Sequence, residues 1–212
     1  MLRRTSLLQV NPDQLERVES ALRALAPDIR EAAMRLDVRN YSLWAAENLL
    51  FGYGEYGRDA DLDDEPALRA RLETVIDGRA QLLCPTGSMR LMYHDIGIVR
   101  EDKSLIRHRV FATKLKPGCA GEYKRRHDAL VEARGDSISE GPDSNFTIWY
   151  GAGYIFGYCE KVRAFDHEMT EQERRDTIAW ETRQLEIMDW LTDDVDWITG
   201  EKHDKMRLVC RQ

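Results

Sequence analysis

Two segments of the chain have the alternating apolar pattern of a β-strand and end just before a proline. Residues 4–10 and 109–115 are predicted to be strands that stop at Pro12 and Pro117. Proline has no N–H to donate to a strand ladder, so neither strand is expected to continue through it.

An amphipathic helix is predicted after each strand. In the first helix, apolar residues recur at intervals of three and four positions, at Leu15, Val18, Leu22, Leu25 and Ile29. The second helix is predicted from about residue 119 to 133, with Tyr123, His127 and Leu130 on the equivalent stripe. These stripes are expected to face a sheet.

Each half of the chain continues with a hairpin, a second helix and a final strand. The hairpins are predicted from aromatic-rich segments, at 39–46 with 49–56 and at 144–151 with 154–161. The second helices are predicted at about 65–80 and 168–192, the longer one beginning near the capping-box pair Thr170 and Glu173. The final strands are predicted at 89–97 and 205–211.

The two halves also match each other in sequence. Residues 40–55 align without a gap with residues 145–160, and identical residues include Asn40 with Asn145 and Glu55 with Glu160. The chain is therefore predicted to contain two copies of one structural unit.

The element order β-α-β-β-α-β predicts an α+β protein with two tandem ferredoxin-like units. The expected boundaries are 1–100 for the first unit and 105–212 for the second. A ferredoxin-like sheet carries helices on one face only, so the other face needs a cover. We expect the two sheets to pack on each other as an intrachain dimeric α+β barrel.

Composition narrows the possible partners. The net charge of −7 and pI near 5.4 argue against nucleic acid. No apolar run is long enough to span a membrane, and the first residues do not resemble a signal peptide. The four cysteines share no close spacing, which favours the reducing cytoplasm. His167-Glu168 and His203-Asp204 have no diagnostic pairing, so no metal site is predicted.

Tyr123 and His127 are the strongest candidates for chemistry. Four residues apart on a helix, they share one face, and histidine titrates near neutral pH. The pair could hold and move protons at a cavity above the sheet. The spacing alone also fits a buried pair that only satisfies its own hydrogen bonds.

Aromatic residues on the neighbouring strands are candidate pocket walls. Alternation along the hairpin strand puts Phe146 and Tyr150 on one face, and Phe111 on the preceding strand is expected to join them. Trp44 and Trp149, which match in the repeat, are predicted to pack between the two sheets.

The segment around the candidate pair resembles the L-rhamnose mutarotase family, whose chains have a strand, a proline turn and a helix with Glu-Tyr-x-x-Arg-His. The matching residues here are Leu115-Lys116-Pro117-Gly118 and Glu122-Tyr123-Lys124-Arg125-Arg126-His127. The first unit is similar to the family at Gln9-Val10-Asn11-Pro12-Asp13, Asn40-Tyr41 and Asn48-Leu49-Leu50-Phe51.

The resemblance implies an enzyme without metal or organic cofactor that interconverts the α and β anomers of a 6-deoxy sugar such as L-rhamnose. His127 would be the proton-transferring group and Tyr123 its companion. The family's hairpin tyrosine is kept as Tyr41, a candidate for substrate binding, but becomes Phe146 in the second unit. Trp190 would replace the family's tryptophan pair as the platform for the sugar.

The first unit departs from this motif. Val18 and Leu22 occupy the positions that match Tyr123 and His127, so the first site is predicted to be degenerate and the second functional.

Two other hypotheses stay open. One is a different enzyme on the same barrel, such as an epimerase, a lyase or a cyclase, and the other is a binding protein without catalysis. The expected partner is a small sugar. A second copy of the chain is a further candidate partner, which would give a homodimer.

Overall fold

The computed structural model describes residues 1–58, 62, 65–138, 140–141, 143–162, 170–192 and 205–212. These residues form two compact units, one made of residues 1–89 with 206–212 and the other of residues 90–205.

Strands and helices follow the predicted order with additions. The strands are β1 (Leu2–Val10), β2 (Val38–Ala46), β3 (Leu49–Tyr56), β4 (Ala80–Cys84), β5 (Arg90–Asp95), β6 (Ile106–Leu115), β7 (Asp143–Gly151), β8 (Tyr154–Val162), β9 (Met188–Thr192) and β10 (Arg207–Arg211). The helices are α1 (Leu15–Ala24), α2 (Ala26–Arg35), α3 (Pro66–Ile76), α4 (Ala120–Arg134) and α5 (Glu171–Gln184), with short 3-10 turns at Pro12–Gln14 and Lys103–Leu105.

Each unit contains one five-stranded antiparallel sheet. The strand order is β10-β2-β3-β1-β4 in the first unit and β5-β7-β8-β6-β9 in the second. In both sheets the last four strands have the ferredoxin-like order, with an added strand at the hairpin edge. The predicted fold class, α+β with two tandem ferredoxin-like units, is confirmed. The packing of the two sheets as a barrel, with Trp44 and Trp149 between them, stays a prediction.

The added strand of each sheet comes from the other half of the sequence. β5 pairs with β7, and β10 pairs with β2. The prediction that 89–97 closes the first unit and 205–211 the second is therefore wrong. The compact units accordingly differ from the expected ranges 1–100 and 105–212.

The second helices are shorter than predicted because a strand follows each of them. The helix predicted at 168–192 ends at Gln184, and β9 then pairs with β6. The helix predicted at 65–80 ends at Ile76, where Gly78 takes a positive φ of 64° that favours glycine after a helix. The capping box at Thr170 and Glu173 is present as predicted.

The first predicted helix is divided in two. α1 ends and α2 begins around Leu25, with Pro27 in the first turn of α2. Proline has no N–H for the carbonyl four residues earlier, which explains the break. The predicted apolar stripe nevertheless faces the core, because Val18, Leu22 and Ile29 are buried.

The same buried polar network occurs in both hairpins. Asn145 donates from its amide to Glu160 Oε1 at 3.0 Å, and the Tyr158 hydroxyl donates to the same oxygen at 3.0 Å. In the first unit Asn40 and Tyr53 donate to Glu55 Oε1 at 3.0 and 3.1 Å. The aligned sequence block thus forms one arrangement twice.

Each of these asparagines lies in a β-bulge. The pairing between β7 and β8 shifts register between Ser144 and Thr147, and Asn145 has φ of 53°. The pairing between β2 and β3 shifts at the equivalent place, where Asn40 has φ of 51°. Asparagine tolerates this left-handed conformation better than most residues, and the hydrogen bond from its side-chain amide to the glutamate stabilises the bulge.

We predict that Asn145→Ala lowers the free energy of unfolding by about 2–4 kcal/mol. The change removes one hydrogen-bond donor from the buried carboxylate of Glu160. It also puts alanine, which is unfavourable at positive φ, at a position with φ of 53°. Urea unfolding measures the effect, with Asn145→Gly as the matched control, because glycine accepts this φ and should lose less. Equal losses in both variants would contradict a contribution from backbone conformation.

Candidate active site

Helix α4 carries the two predicted catalytic residues towards the sheet of the second unit. Tyr123 is 2% exposed and His127 is 4% exposed. Their rings are stacked, with centroids 4.2 Å apart and planes inclined by 24°. The spacing of four residues therefore produces the shared face that the sequence predicts.

These two residues line a cavity of about 350 Å³ within the second unit. This volume lies at the lower end of the range of about 300–1,000 Å³ for small-molecule sites. The lining residues are Tyr93, Arg109, Phe111, Tyr123, His127, Leu130, Asp143, Phe146, Ile148, Thr177, Trp180, Glu181, Gln184, Met188 and Trp190.

Five of the seven predicted site residues meet at this cavity. They are His127, Tyr123, Phe111, Phe146 and Trp190. Phe111 packs edge-on against Phe146 and Trp190, at centroid distances of 6.3 and 5.8 Å, so three predicted walls form one aromatic cluster.

The other two predicted residues lie elsewhere. Tyr150 packs against the same core but does not line the cavity, because β7 carries it beyond Ile148 towards the hairpin end. Tyr41 lines a separate cavity of about 110 Å³ in the first unit. Neither residue lines the second-unit cavity, and a role of either in substrate binding stays a prediction.

A backbone contact determines the tautomer of His127. Its Nδ1 lies 2.9 Å from the carbonyl oxygen of Tyr123, which can only accept, so Nδ1 carries the hydrogen. Nε2 is then the basic nitrogen. Burial lowers the pKa of His127 below its usual value, outweighing the carbonyl bond that raises it. The imidazole is therefore neutral at pH 7 and can accept a proton.

Tyr123 has the opposite character. Burial raises the pKa of its phenol strongly, and the nearby charge of Glu181 adds to this effect. The phenol consequently stays protonated and acts as a hydrogen-bond donor.

Helix α5 contributes a lining stripe that the sequence analysis missed. Thr177, Trp180, Glu181 and Gln184 follow the three- and four-residue spacing of one helix face. Trp180 meets the His127 ring edge-on, with the ring centroids 5.3 Å apart. The spacing of these residues was the available signal, but the helix was predicted to run through Trp190, which obscured its face.

Tyr93 also lines the cavity, although the sequence analysis did not predict it. It lies on β5, and its ring contacts those of His127 and Phe146 at 5.5 and 5.3 Å. Burial raises the pKa of its phenol, and Asp95 adds to the effect. No local signal predicts this position, because it depends on β5 joining the second sheet.

The equivalent place in the first unit is apolar. Val18 and Leu22, at the positions of Tyr123 and His127, are 0% and 4% exposed and belong to the hydrophobic core. The small cavity there is lined by residues such as Leu22, Leu72 and Ile76.

Across the described ranges, no group of three His, Cys, Asp or Glu side chains is placed to hold a metal ion. His167-Glu168 and His203-Asp204 lie outside the described residues. Within the described part of the chain, no helix is long and apolar enough to cross a membrane.

Comparison with solved structures identifies the class of fold. The chain is similar to a protein titled "Putative monooxygenase" from Fusobacterium nucleatum subsp. nucleatum ATCC 25586, with a TM-score of 0.51, 12% identity, and coverage of 100% of this chain and 94% of that one. A glucooligosaccharide oxidase from Acremonium strictum matches at a TM-score of only 0.27 and 12% identity, over 80% of this chain and 40% of that one. The first likeness supports the ferredoxin-like α+β fold.

Sequence comparison finds a related family. Residues 108–209 match the model of the L-rhamnose mutarotase family. The resemblance noted from the Glu-Tyr-x-x-Arg-His motif is thereby confirmed. No curated protein matches the chain significantly.

We predict that His127 titrates with a midpoint below 6.5, because burial disfavours the imidazolium. The unfolded state, with a pKa near 6.5, then binds more protons than the folded state at lower pH. The stability that neutral His127 contributes is thus complete above pH 6.5 and is lost as pH falls from there through the folded pKa. NMR titration of the ring protons, assigned with His127→Ala, measures the midpoint. A value at or above 6.5 would contradict the prediction.

Proposed function

We propose that the second unit interconverts the α and β anomers of a 6-deoxy sugar such as L-rhamnose by acid/base catalysis without a cofactor. The match of residues 108–209 to the L-rhamnose mutarotase family supports a mutarotase-like reaction. The observation that carries the proposal is the stacking of two buried residues, His127 and Tyr123, which both line one cavity.

The chemistry requires two coupled proton movements. Ring opening removes the proton of the anomeric hydroxyl, breaks the bond between the anomeric carbon and the ring oxygen, and delivers a proton to that oxygen. His127 Nε2 takes the first proton, because Nδ1 is occupied by the Tyr123 carbonyl. The resulting imidazolium supplies the proton that the ring oxygen needs. Closure on the other face of the aldehyde reverses these steps and yields the other anomer.

Tyr123 has a supporting role in this scheme. Its phenol keeps its proton, so it donates a hydrogen bond to sugar oxygen while negative charge develops there. The stacked ring of Tyr123 also limits the rotation of His127.

Aromatic walls suit the apolar faces of a pyranose. Phe111, Phe146 and Trp190 surround the cavity together with Trp180. A 6-deoxy sugar has a methyl group in place of one hydroxyl, and such a group gains from burial against aromatic rings.

The cysteines and the net charge bear on the compartment and the partner that we propose. All four cysteines are free thiols, which supports a place in the reducing cytoplasm. The net charge of −7 supports a small-molecule partner in preference to nucleic acid. Association of two chains as a homodimer stays a prediction.

We predict that the protein accelerates the exchange of L-rhamnose anomers above the rate in buffer, and that His127→Ala removes this acceleration. The expected loss is about 10²–10⁴ in rate, the usual contribution of a proton-transferring side chain. Saturation-transfer NMR of the anomeric protons measures the exchange directly. L-fucose and related reducing sugars provide the substrate panel.

His94→Ala is the matched control. His94 is an exposed histidine on β5 that does not line the cavity, so its loss should leave the exchange unchanged. Exchange at the buffer rate with every sugar of the panel would refute the proposed function. Undiminished exchange in His127→Ala would refute the role of His127.

A further inference from the structure

Gln184 is a buried amide whose polar atoms are not satisfied by the described part of the protein. It is the last residue of α5, is 2% exposed and lines the cavity that contains His127. Among the described residues, neither its Nε2 nor its Oε1 has a hydrogen-bond partner. Burial of an amide without partners is costly, so a residue of this kind in a cavity indicates a polar ligand.

The duplicated unit shows what the fold itself needs at this position. α3 ends at Ile76 four residues before β4 begins, and α5 ends at Gln184 four residues before β9 begins. Ile76 is thus the counterpart of Gln184, and it lines the small apolar cavity of the first unit. An aliphatic side chain completes the fold at this helix end, so packing does not require the amide.

The difference at this helix end parallels the difference on the facing helix. Where the first unit has Val18, Leu22 and Ile76, the second has Tyr123, His127 and Gln184. The polar replacements all line one cavity. A catalytic pair alone would explain two of them, and the third needs a separate role.

We propose that Gln184 recognises two adjacent hydroxyl groups of a pyranose ring. Its Oε1 accepts from one hydroxyl and its Nε2 donates to the next, which satisfies both orphaned atoms at once. The ligand class is therefore a ring with a free vicinal diol. The inference rests on the proposed function for the identity of the ring as a sugar, and it makes Gln184 a specificity-determining residue.

Neighbouring residues support this orientation. Trp180 and Glu181 precede Gln184 by four and three positions and line the same cavity. Trp180 contacts the imidazole of His127 edge-on at 5.3 Å, which places the helix face of Gln184 beside the proton-transferring group. A sugar held by its diol at Gln184 would remain within the same cavity as His127 Nε2.

The test uses a glycoside that cannot mutarotate, so that binding is measured apart from catalysis. Methyl α-L-rhamnopyranoside has a locked anomeric centre and keeps its vicinal diol. Isothermal titration calorimetry with the full-length chain compares the unmodified protein with Gln184→Ile, which introduces the residue of the sister unit. We expect the Kd to rise about tenfold or more, because two neutral hydrogen bonds are lost. The midpoint of urea unfolding should stay unchanged or rise.

This combination separates ligand recognition from a structural role. If the Gln184 amide had a structural role, its replacement would lower the stability of the protein. If it binds the ligand, replacement should weaken binding and leave the stability of the protein unchanged or higher. Gln172→Ile on the exposed side of α5 is the control and should change neither affinity nor anomer exchange.

Several results would overturn the inference. They are equal affinity in Gln184→Ile, a loss of stability with unchanged affinity, and no binding of the glycoside by the unmodified protein. Gln184-dependent binding without any anomer exchange would uphold the inference and refute the proposed function. Exchange that persists in Gln184→Ile at the same sugar KM would refute the inference alone.

Discussion

A buried carboxylate that accepts hydrogen bonds from an asparagine and a tyrosine stabilises the central hairpin of each unit. Glu160 and Glu55 are 0% and 3% exposed, and each would be very costly to bury without hydrogen-bond donors. In both units the donors are an asparagine in a β-bulge and a tyrosine two residues before the glutamate. Lys103 adds an ion pair to Glu160. The bulge sets the register of the hairpin, and the hairpin strand then carries Phe146 and Ile148 to the cavity.

On this common framework the two units have diverged in what their helices bury. The first unit fills the space between its helices and its sheet with aliphatic residues such as Val18 and Leu22. Burial of these side chains away from water stabilises the fold. The second unit puts Tyr123 and His127 there and keeps a cavity of about 350 Å³. A cavity and buried polar groups reduce stability, so the second unit gives up packing that the first unit retains.

Strand exchange completes the site of the second unit. Without β5, the hairpin edge at β7 would lack its partner strand, and the cavity would lack Tyr93. Its phenol ring contacts both His127 and Phe146. A residue that precedes the second repeat in sequence therefore lines its cavity, and a second-repeat fragment starting at residue 105 would lack it.

Local sequence determined most of the elements, the duplicated hairpin and the shared helix face of Tyr123 and His127, because their signals are short-range. Helical spacing brought Tyr123 and His127 onto one face, and alternation identified Phe111 and Phe146 as walls. It also named Tyr150 and Tyr41, which do not line this cavity, and it extended α5 through the residues that form β9. Only the tertiary structure decided the partner strands of β5 and β10, the position of Tyr93 at the cavity, and the burial of Gln184 without a hydrogen-bond partner among the described residues. Those features depend on which strand edges and helix ends meet across long sequence separations, and the energy of such contacts is not encoded in any local pattern.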